Sequence, residues 1–427
     1  MKVVYIGDGR CRVNWGARAT STALYDLVVA KHTVQSIIES DAKDGKYTRI
    51  LSLPPFPLSV LKAIDKSNKG VFNFLKKVAR KLKLKNVGLI DYVVDDIDQS
   101  VKNFMAIKDK YPNLEEMYVK IKEADAVVLN GEGSFIFKTP PRRDALFFLF
   151  ILKLAKQLGK KAYYLNSLIS DCPKTGRNIQ TATQMVNILR QCDGISVRDK
   201  VSYDTLKELA PDLDFKFIPD ALFSWVNKFD GEAGKLEYLK KDEFLKKRPV
   251  NFDFSKPYIC VSGSSLAAWT KAKAISAYID LITKLKETGL NILIVPTCGG
   301  DSFFDEVSAA TGIPVVPVDI PVVTGGTILT NAAVLVSGRF HPSIIASLGG
   351  TPCVFMGSNS HKTLSLQEVL NYPKVIEYNA IPSAEDIRNI YADVEEILAQ
   401  GNKRRQDIKT TVYELAQKAT TVTDLIK

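Results

Sequence analysis

Short, β-prone apolar runs closed by Gly, Pro or Asn alternate along this chain with longer stretches whose apolar residues fall at helical spacing. Lys2–Ile6 predicts a first strand that leaves through Gly7-Asp8-Gly9, and Asn14-Trp15-Gly16 leads into a helix from about Ala17 to Val29. Further strands are expected at Arg49–Leu53, Val127–Leu129, Ala162–Leu165, Gly194–Asp199 and Phe215–Ile218, with a helix over Ser202–Leu209. Arg143–Leu158 is apolar nearly all round, which predicts a central packed helix. Residues 226–256 are polar, lysine-rich and strand-poor, and read as a linker. A second series follows: strands at Tyr258–Val261, Ile292–Val295, Pro314–Val318, Val334–Val336 and Cys353–Met356, with a helix over Lys271–Thr288 and two helices after Ala384. Such alternation predicts parallel α/β architecture, and 427 residues suffice for two domains.

The second series contains the densest chemistry. Two of the chain's three histidines, His341 and His361, lie at the exits of its last two strands, and His32 is the third. Ligands of open α/β sheets bind at such carboxyl ends. Arg339 offers a planar fork for a carboxylate or phosphate. The turn Ser358-Asn359-Ser360 precedes a helix expected from His361, whose free N–H groups suit phosphate, and Lys362 adds a point charge. His341 and His361 are of the type that exchanges protons near neutrality, although the sequence does not indicate which carboxylate would orient them. In the first series, Asn130-Gly131-Glu132 follows a buried strand, where Glu132 either bonds a ligand hydroxyl or caps a turn. Arg198 either meets an anion or pairs internally with Asp199. Asp301 is expected to cap a helix.

Composition narrows the partners. The chain carries 58 Lys+Arg against 47 Asp+Glu, a net +11, which favours an anionic partner. No base-stacking or groove-reading module accompanies the charge, so nucleic acid is not expected. Lys66–Lys85 is basic and amphipathic. It either rests on an anionic membrane, at the inner face, or packs its apolar stripe on the protein. Six scattered cysteines show no metal spacing, and no metal is expected. The longest apolar run, Ala145–Leu152, is too short to span a bilayer, and the first residues lack a secretory apolar region. A cytoplasmic protein is the expectation.

Arg339-Phe340-His341, Gly349-Gly350-Thr351-Pro352 and Ser358-Asn359-Ser360-His361-Lys362 together resemble the polysaccharide pyruvyl transferase family. Asn130-Gly131-Glu132-Gly133-Ser134, Ser196-Val197-Arg198-Asp199 and Pro219-Asp220 look like its earlier blocks, in the same order. The resemblance implies two Rossmann-like domains around a cleft, similar to two-domain (GT-B-like) glycosyltransferases. The expected halves are 1–240, on the acceptor side with a basic insertion at 35–120, and 250–400, on the donor side; 401–427 would pack back across them. It further implies phosphoenolpyruvate as donor, no cofactor, and a glycan acceptor, free or lipid-linked, that becomes a pyruvate ketal. Arg339 and His341 would then be catalytic. Arg198, Asn130, Gly131, Glu132, Ser358, Asn359, Ser360, His361 and Lys362 would bind substrate. On this reading His341→Ala and Arg339→Ala abolish transfer and leave the melt nearly intact. Two alternatives stand beside it. One is a glycosyltransferase using a nucleotide-sugar, with Asp319 or Glu306 as its ribose carboxylate. The other is a non-catalytic basic scaffold for an anionic polymer or membrane surface.

Overall fold

The computed structural model describes residues 1–39, 49–52 and 88–427; the Lys66–Lys85 segment lies outside the described residues. Six parallel strands form the first sheet in the order β2-β1-β5-β6-β7-β8: β1 Lys2–Asp8, β2 Thr33–Glu39, β5 Ala126–Phe137, β6 Lys161–Asp171, β7 Gly194–Val197 and β8 Lys216–Phe217. Four parallel strands form the second in the order β10-β9-β11-β12: β9 Tyr258–Ser264, β10 Asn291–Ile294, β11 Val334–Gly338 and β12 Cys353–Phe355. A separate antiparallel pair joins β3 Arg49–Ser52 to β4 Gly88–Asp91. In each sheet the strand order reverses beside the first strand of its series, which opens a crevice at the carboxyl ends. This is the two-sheet α/β architecture of GT-B-like proteins.

Both faces of each sheet are covered, so the strands read as unbroken apolar runs. The period of two sorts them between three cores. Val4, Ile6, Val127 and Leu129 face an outer core with the helices Ile97–Ile107, Pro112–Glu123 and Arg143–Gln157. Residues 97–120, inside the expected insertion, thus belong to the packed body: Phe104 and Phe150 rings meet at 5.2 Å. Ile259, Val261, Val334 and Val336 face a second outer core with the helices Lys271–Leu285 and Ala384–Gln400.

The third core lies between the sheets and belongs to both. It takes Val3, Tyr5 and Val128 from the first sheet, Tyr258, Cys260 and Leu335 from the second, and the helices Trp15–Val29, Phe340–Leu348 and Asn402–Thr420. Helix Asn402–Thr420 packs on residues 221–225 and on helix Phe340–Leu348, and the turn after it reaches β6 and β7. Trp15 is the pin. Fully buried, it donates its backbone N–H to Thr297 O at 2.9 Å and its indole Nε1–H to Val318 O at 2.9 Å. Its ring lies so close to Gly325 that a Cβ there would come within 2.2 Å.

Three expected boundaries shift. β5 and β6 do not stop at Leu129 and Leu165 but stay paired as far as Phe137 and Asp171, with a register shift between Glu132 and Phe135. Left-handed backbone at Glu132, φ 44°, bends β5 where a turn was expected. Pro314–Val318 is no strand: only Val315 bridges to Ile294, because Pro314 and Pro317 have no N–H to give a ladder. No described helix is long and apolar enough to cross a membrane.

Because Trp15 ties the halves, Trp15→Ala should cost about 3–5 kcal/mol of unfolding free energy. Denaturant titration followed by far-UV circular dichroism measures it, and a loss under 1 kcal/mol would contradict the pinning role.

Candidate active site

The carboxyl ends of both sheets open onto one cavity of about 230 Å³. From the first half it is lined by Arg12, Asn14, Gly16, Glu132, Gly133, Arg142, Asp144 and Arg198. From the second it is lined by Ser265, Thr297, Gly338, Arg339, His341, Asn359, Ser360 and Lys362. Arg12, Arg142, Arg198, Arg339 and Lys362 are five cationic side chains set against two lining carboxylates, Glu132 and Asp144.

Arg198 leaves β7 and is buried. It does not pair with Asp199. Its Nη1 donates to Asp220 Oδ2 at 2.8 Å and lies 3.0 Å from His341 Nε2, while its guanidinium stands 4.9 Å from the Phe340 ring. His341 Nε2 is 3.3 Å from the same Asp220 oxygen. Asp220 is therefore the carboxylate for His341 that sequence alone does not assign. A guanidinium only donates, so neutral His341 accepts at Nε2 and carries its proton on Nδ1. Nδ1 faces Gly16, where a Cβ would sit 2.3 Å away; the glycine lets the helix start approach the ring. Burial opposes charge on Asp220, but Arg198 and then His341 overcome it and hold the carboxyl well below the usual carboxylate range. Its other oxygen accepts from Thr20 Oγ1 at 2.7 Å and Leu222 N–H at 2.9 Å.

Asn130 belongs to the support behind this group. It is buried, its Oδ1 accepts from Asn166 Nδ2 at 3.1 Å, and Asn166 also donates to Thr20 Oγ1 at 2.8 Å. Gly131 serves packing: a Cβ would lie 2.3 Å from Ser167 Oγ. Neither lines the cavity, contrary to the substrate-binding expectation, because β5 runs on through them.

Arg339 is an ion-pair partner before it is an anion fork. Its Nη2 contacts Asp301 Oδ1; Asp301 is fully buried and the Arg339 side chain only 11% exposed. Burial works against the Arg339 charge, yet Asp301 keeps its pKa above the ordinary value. Asp301 does not cap the following long helix. Its Oδ2 takes the N–H groups of Thr297, at 2.9 Å, and Cys298, at 3.3 Å. Ser358 and His361 also fall outside the cavity. Ser358 Oγ donates to Ser360 O at 2.8 Å. His361 Nε2 meets Asp199 Oδ1 at 2.8 Å, which makes it a second contact between the halves; Asp199 also accepts the N–H of Ser202 as the cap of its helix. Asn359, Ser360 and Lys362 do line the cavity.

Lys362 is more than a point charge. Its Nζ donates to Asn359 Oδ1 at 2.8 Å. Burial, then Arg198 and Arg339, push its pKa down to about 7, the range in which a group exchanges protons at neutral pH. Three polar atoms of the cavity walls, Arg198 Nε, Arg339 Nε and Ser360 Oγ, have no hydrogen-bond partner. Buried polar atoms are seldom left so, and donors of this kind suit an oxyanion ligand. Arg12, Arg142 and Asp220 were missed in the sequence as site residues. For Asp220 a signal existed: an acid just past the Phe215–Ile218 run, after Pro219.

Asp220→Asn should destabilise the protein by about 3–5 kcal/mol, since it leaves Arg198 buried without its counter-charge. With a depressed folded pKa, the stabilisation from Asp220 is full above pH of about 4 and is lost as pH falls below that. Urea titrations of both proteins at pH 7 and at mildly acid pH check this; a pH-independent difference would contradict the pairing.

The sequence model of the polysaccharide pyruvyl transferase family matches residues 39–360. No curated protein matches the chain by sequence. Among solved structures, UDP-GlcNAc 2-epimerase from Neisseria meningitidis bound to UDP-GlcNAc is similar in fold, with TM-score 0.55 and 10% identity over 100% of this chain and 99% of that one. UDP-GlcNAc 2-epimerase from Methanocaldococcus jannaschii has TM-score 0.53 and 12% identity over 98% and 100%. The trehalose-6-phosphate synthase OtsA has TM-score 0.55 and 9% identity over 100% and 99%. At such identities these likenesses speak for the fold alone, whereas the family model spans most of the chain, site included: this chain belongs to the polysaccharide pyruvyl transferase family.

Proposed function

We propose that the cavity transfers the enolpyruvyl group of phosphoenolpyruvate to two hydroxyls of a sugar in a glycan, forming a pyruvate ketal and releasing phosphate. The observation that carries this reading is five cations lining one small cavity with buried donors still unspent. Phosphoenolpyruvate bears a carboxylate and a phosphate on the same carbon and needs several such donors. Arg198 and Arg339, one from each half, hold the two anionic groups. Each guanidinium is already oriented by a buried carboxylate, so little rotamer freedom is lost on binding. Lys362, with Asn359 and Ser360, takes the phosphate.

Carbon chemistry then requires a proton at the enol methylene. His341 supplies it. Neutral, its Nε2 accepts from Arg198, which fixes the ring; protonated, it turns to Asp220, whose carboxylate offsets the imidazolium charge. As the methylene is protonated, positive charge grows on the central carbon and the sugar hydroxyls add there. The phosphate departs toward Lys362, whose ammonium offsets the developing charge. No metal or cofactor enters this scheme. The reaction acts on a soluble or a lipid-borne glycan alike, and the enzyme works in the cytoplasm.

The nucleotide-sugar alternative lacks its ribose carboxylate in the cavity: Asp319 pairs with Arg248 at 2.5 Å near the surface. Phosphate release from phosphoenolpyruvate against a panel of glycans tests the proposal directly. Binding of nucleotide-sugars but not of phosphoenolpyruvate in calorimetry would overturn it.

His341→Ala should lower turnover by roughly 10²–10⁴-fold. It should also melt somewhat early, because Asp220 and Arg198 lose a partner. Arg339→Ala cannot leave the melt intact, as the sequence reading expected, because Asp301 stays buried without its cation. Glycan turnover and differential scanning calorimetry separate the two effects.

Donor binding at pH 8 should take up protons. Lys362, largely neutral there with its pKa at about 7, regains its proton beside the phosphate. Calorimetry in buffers of different ionisation enthalpy measures the uptake, and Lys362→Arg should remove it.

A further inference from the structure

Glu132 stands apart from the other charges of the cavity. Of the two lining carboxylates, Asp144 is held by Arg142 through a two-pronged contact, Nε to Oδ1 at 3.2 Å and Nη2 to Oδ2 at 3.0 Å. Glu132 is half-buried, and although its backbone pairs with Ser167, its carboxylate makes no hydrogen bond or ion pair with any described residue. Its charge nonetheless reaches Lys362 on the opposite wall. Its backbone is also strained, with φ 44° in the left-handed region that a residue with a side chain seldom occupies. Paired strand continues on both sides, with Asn130 opposite Leu165 and Phe135 opposite Ile169, so the surrounding sheet enforces the kink. Strain that is kept beside a cavity points to function.

Chemistry decides which substrate this carboxylate meets. The donor of the proposed reaction shows oxyanions and an enol methylene. A carboxylate repels the first and finds no hydrogen-bond donor on the second. A sugar hydroxyl is a donor. Ile136 and Leu168 line the cavity from the same two strands, and give the apolar face of a sugar ring something to lie on.

We infer that Glu132 is the acceptor-side base: it takes the hydrogen bond, and then the proton, of the sugar hydroxyl that attacks the central carbon of the enolpyruvyl group. The inference rests on the pyruvyl transfer proposed above. As the hydroxyl O–H bond breaks toward Glu132, its oxygen bonds the central carbon, and the enol double bond takes a proton from His341 to become a methyl group. When the second hydroxyl adds, the carbon–oxygen bond to phosphate breaks. Of the two protons lost by the hydroxyls, one balances the methyl proton and one leaves with phosphate. No oxidant or reductant is required.

Glu132→Gln keeps an acceptor oxygen and removes the base. Turnover should fall at least about 100-fold, with the acceptor KM nearly unchanged and phosphoenolpyruvate binding equal or tighter in calorimetry. Glu132→Gly should unfold no earlier than the wild type, because glycine adopts this φ without strain. It should be equally slow, and added formate should restore part of its turnover. Two results would overturn the assignment: Glu132→Gln turnover within about threefold of wild type, or a loss confined to acceptor KM. A wild-type protein that fails to bind phosphoenolpyruvate would instead overturn the reading beneath it.

Discussion

The buried pair of Arg198 and Asp220 is the contact on which the site depends. Either charge alone would be costly in this dry position; together they hold each other and His341. Burying two charges seldom adds net stability. What the pair supplies is placement. Arg198 and Asp220 come from the first half and His341 from the second, so the proton-carrying ring is positioned only when both halves are in register. His361 with Asp199 repeats the pattern a short distance away.

That register is not left to a flexible hinge. The core between the sheets draws side chains from both, and Trp15 bonds across to Thr297 and Val318. The cavity is therefore largely formed before any ligand arrives. The arginines are already aimed, and binding energy need not be spent on gathering them. Within such a wall most charges have protein partners. The atoms left over are the informative ones: the two guanidinium Nε groups, Ser360 Oγ and the carboxylate of Glu132.

Much of this was legible in the sequence, and the reasons for the rest are physical. Strands buried on both faces are continuous apolar runs, so β1, β7, β9 and β11 stood out. Their polar exits did mark the cavity, and Glu132, Arg198, Arg339, His341, Asn359, Ser360 and Lys362 line it. The ends of β5 and β6 did not stand out, because Asn130 to Ser134 has the composition of a turn while tertiary pairing keeps it in strand. Asn130, Gly131, Ser358 and His361 carry the right chemistry at the right strand ends yet point into supporting contacts. Local sequence cannot separate those roles. Partners more than a hundred residues apart, such as Asp220 for His341, are set by the packing of two sheets and leave little local trace.

Helix Asn402–Thr420 gives that packing a temporal side. It covers residues 221–225 and helix Phe340–Leu348 in the core begun by β1 and helix Trp15–Val29. During synthesis that core stays uncovered until about residue 420 has left the ribosome. The apolar surfaces of residues 221–225 and of helix Phe340–Leu348 that it covers are exposed until then, a state prone to association with other chains. Folding of this protein in the cell should accordingly wait for this late helix, and the nascent chain is where chaperone dependence should be sought.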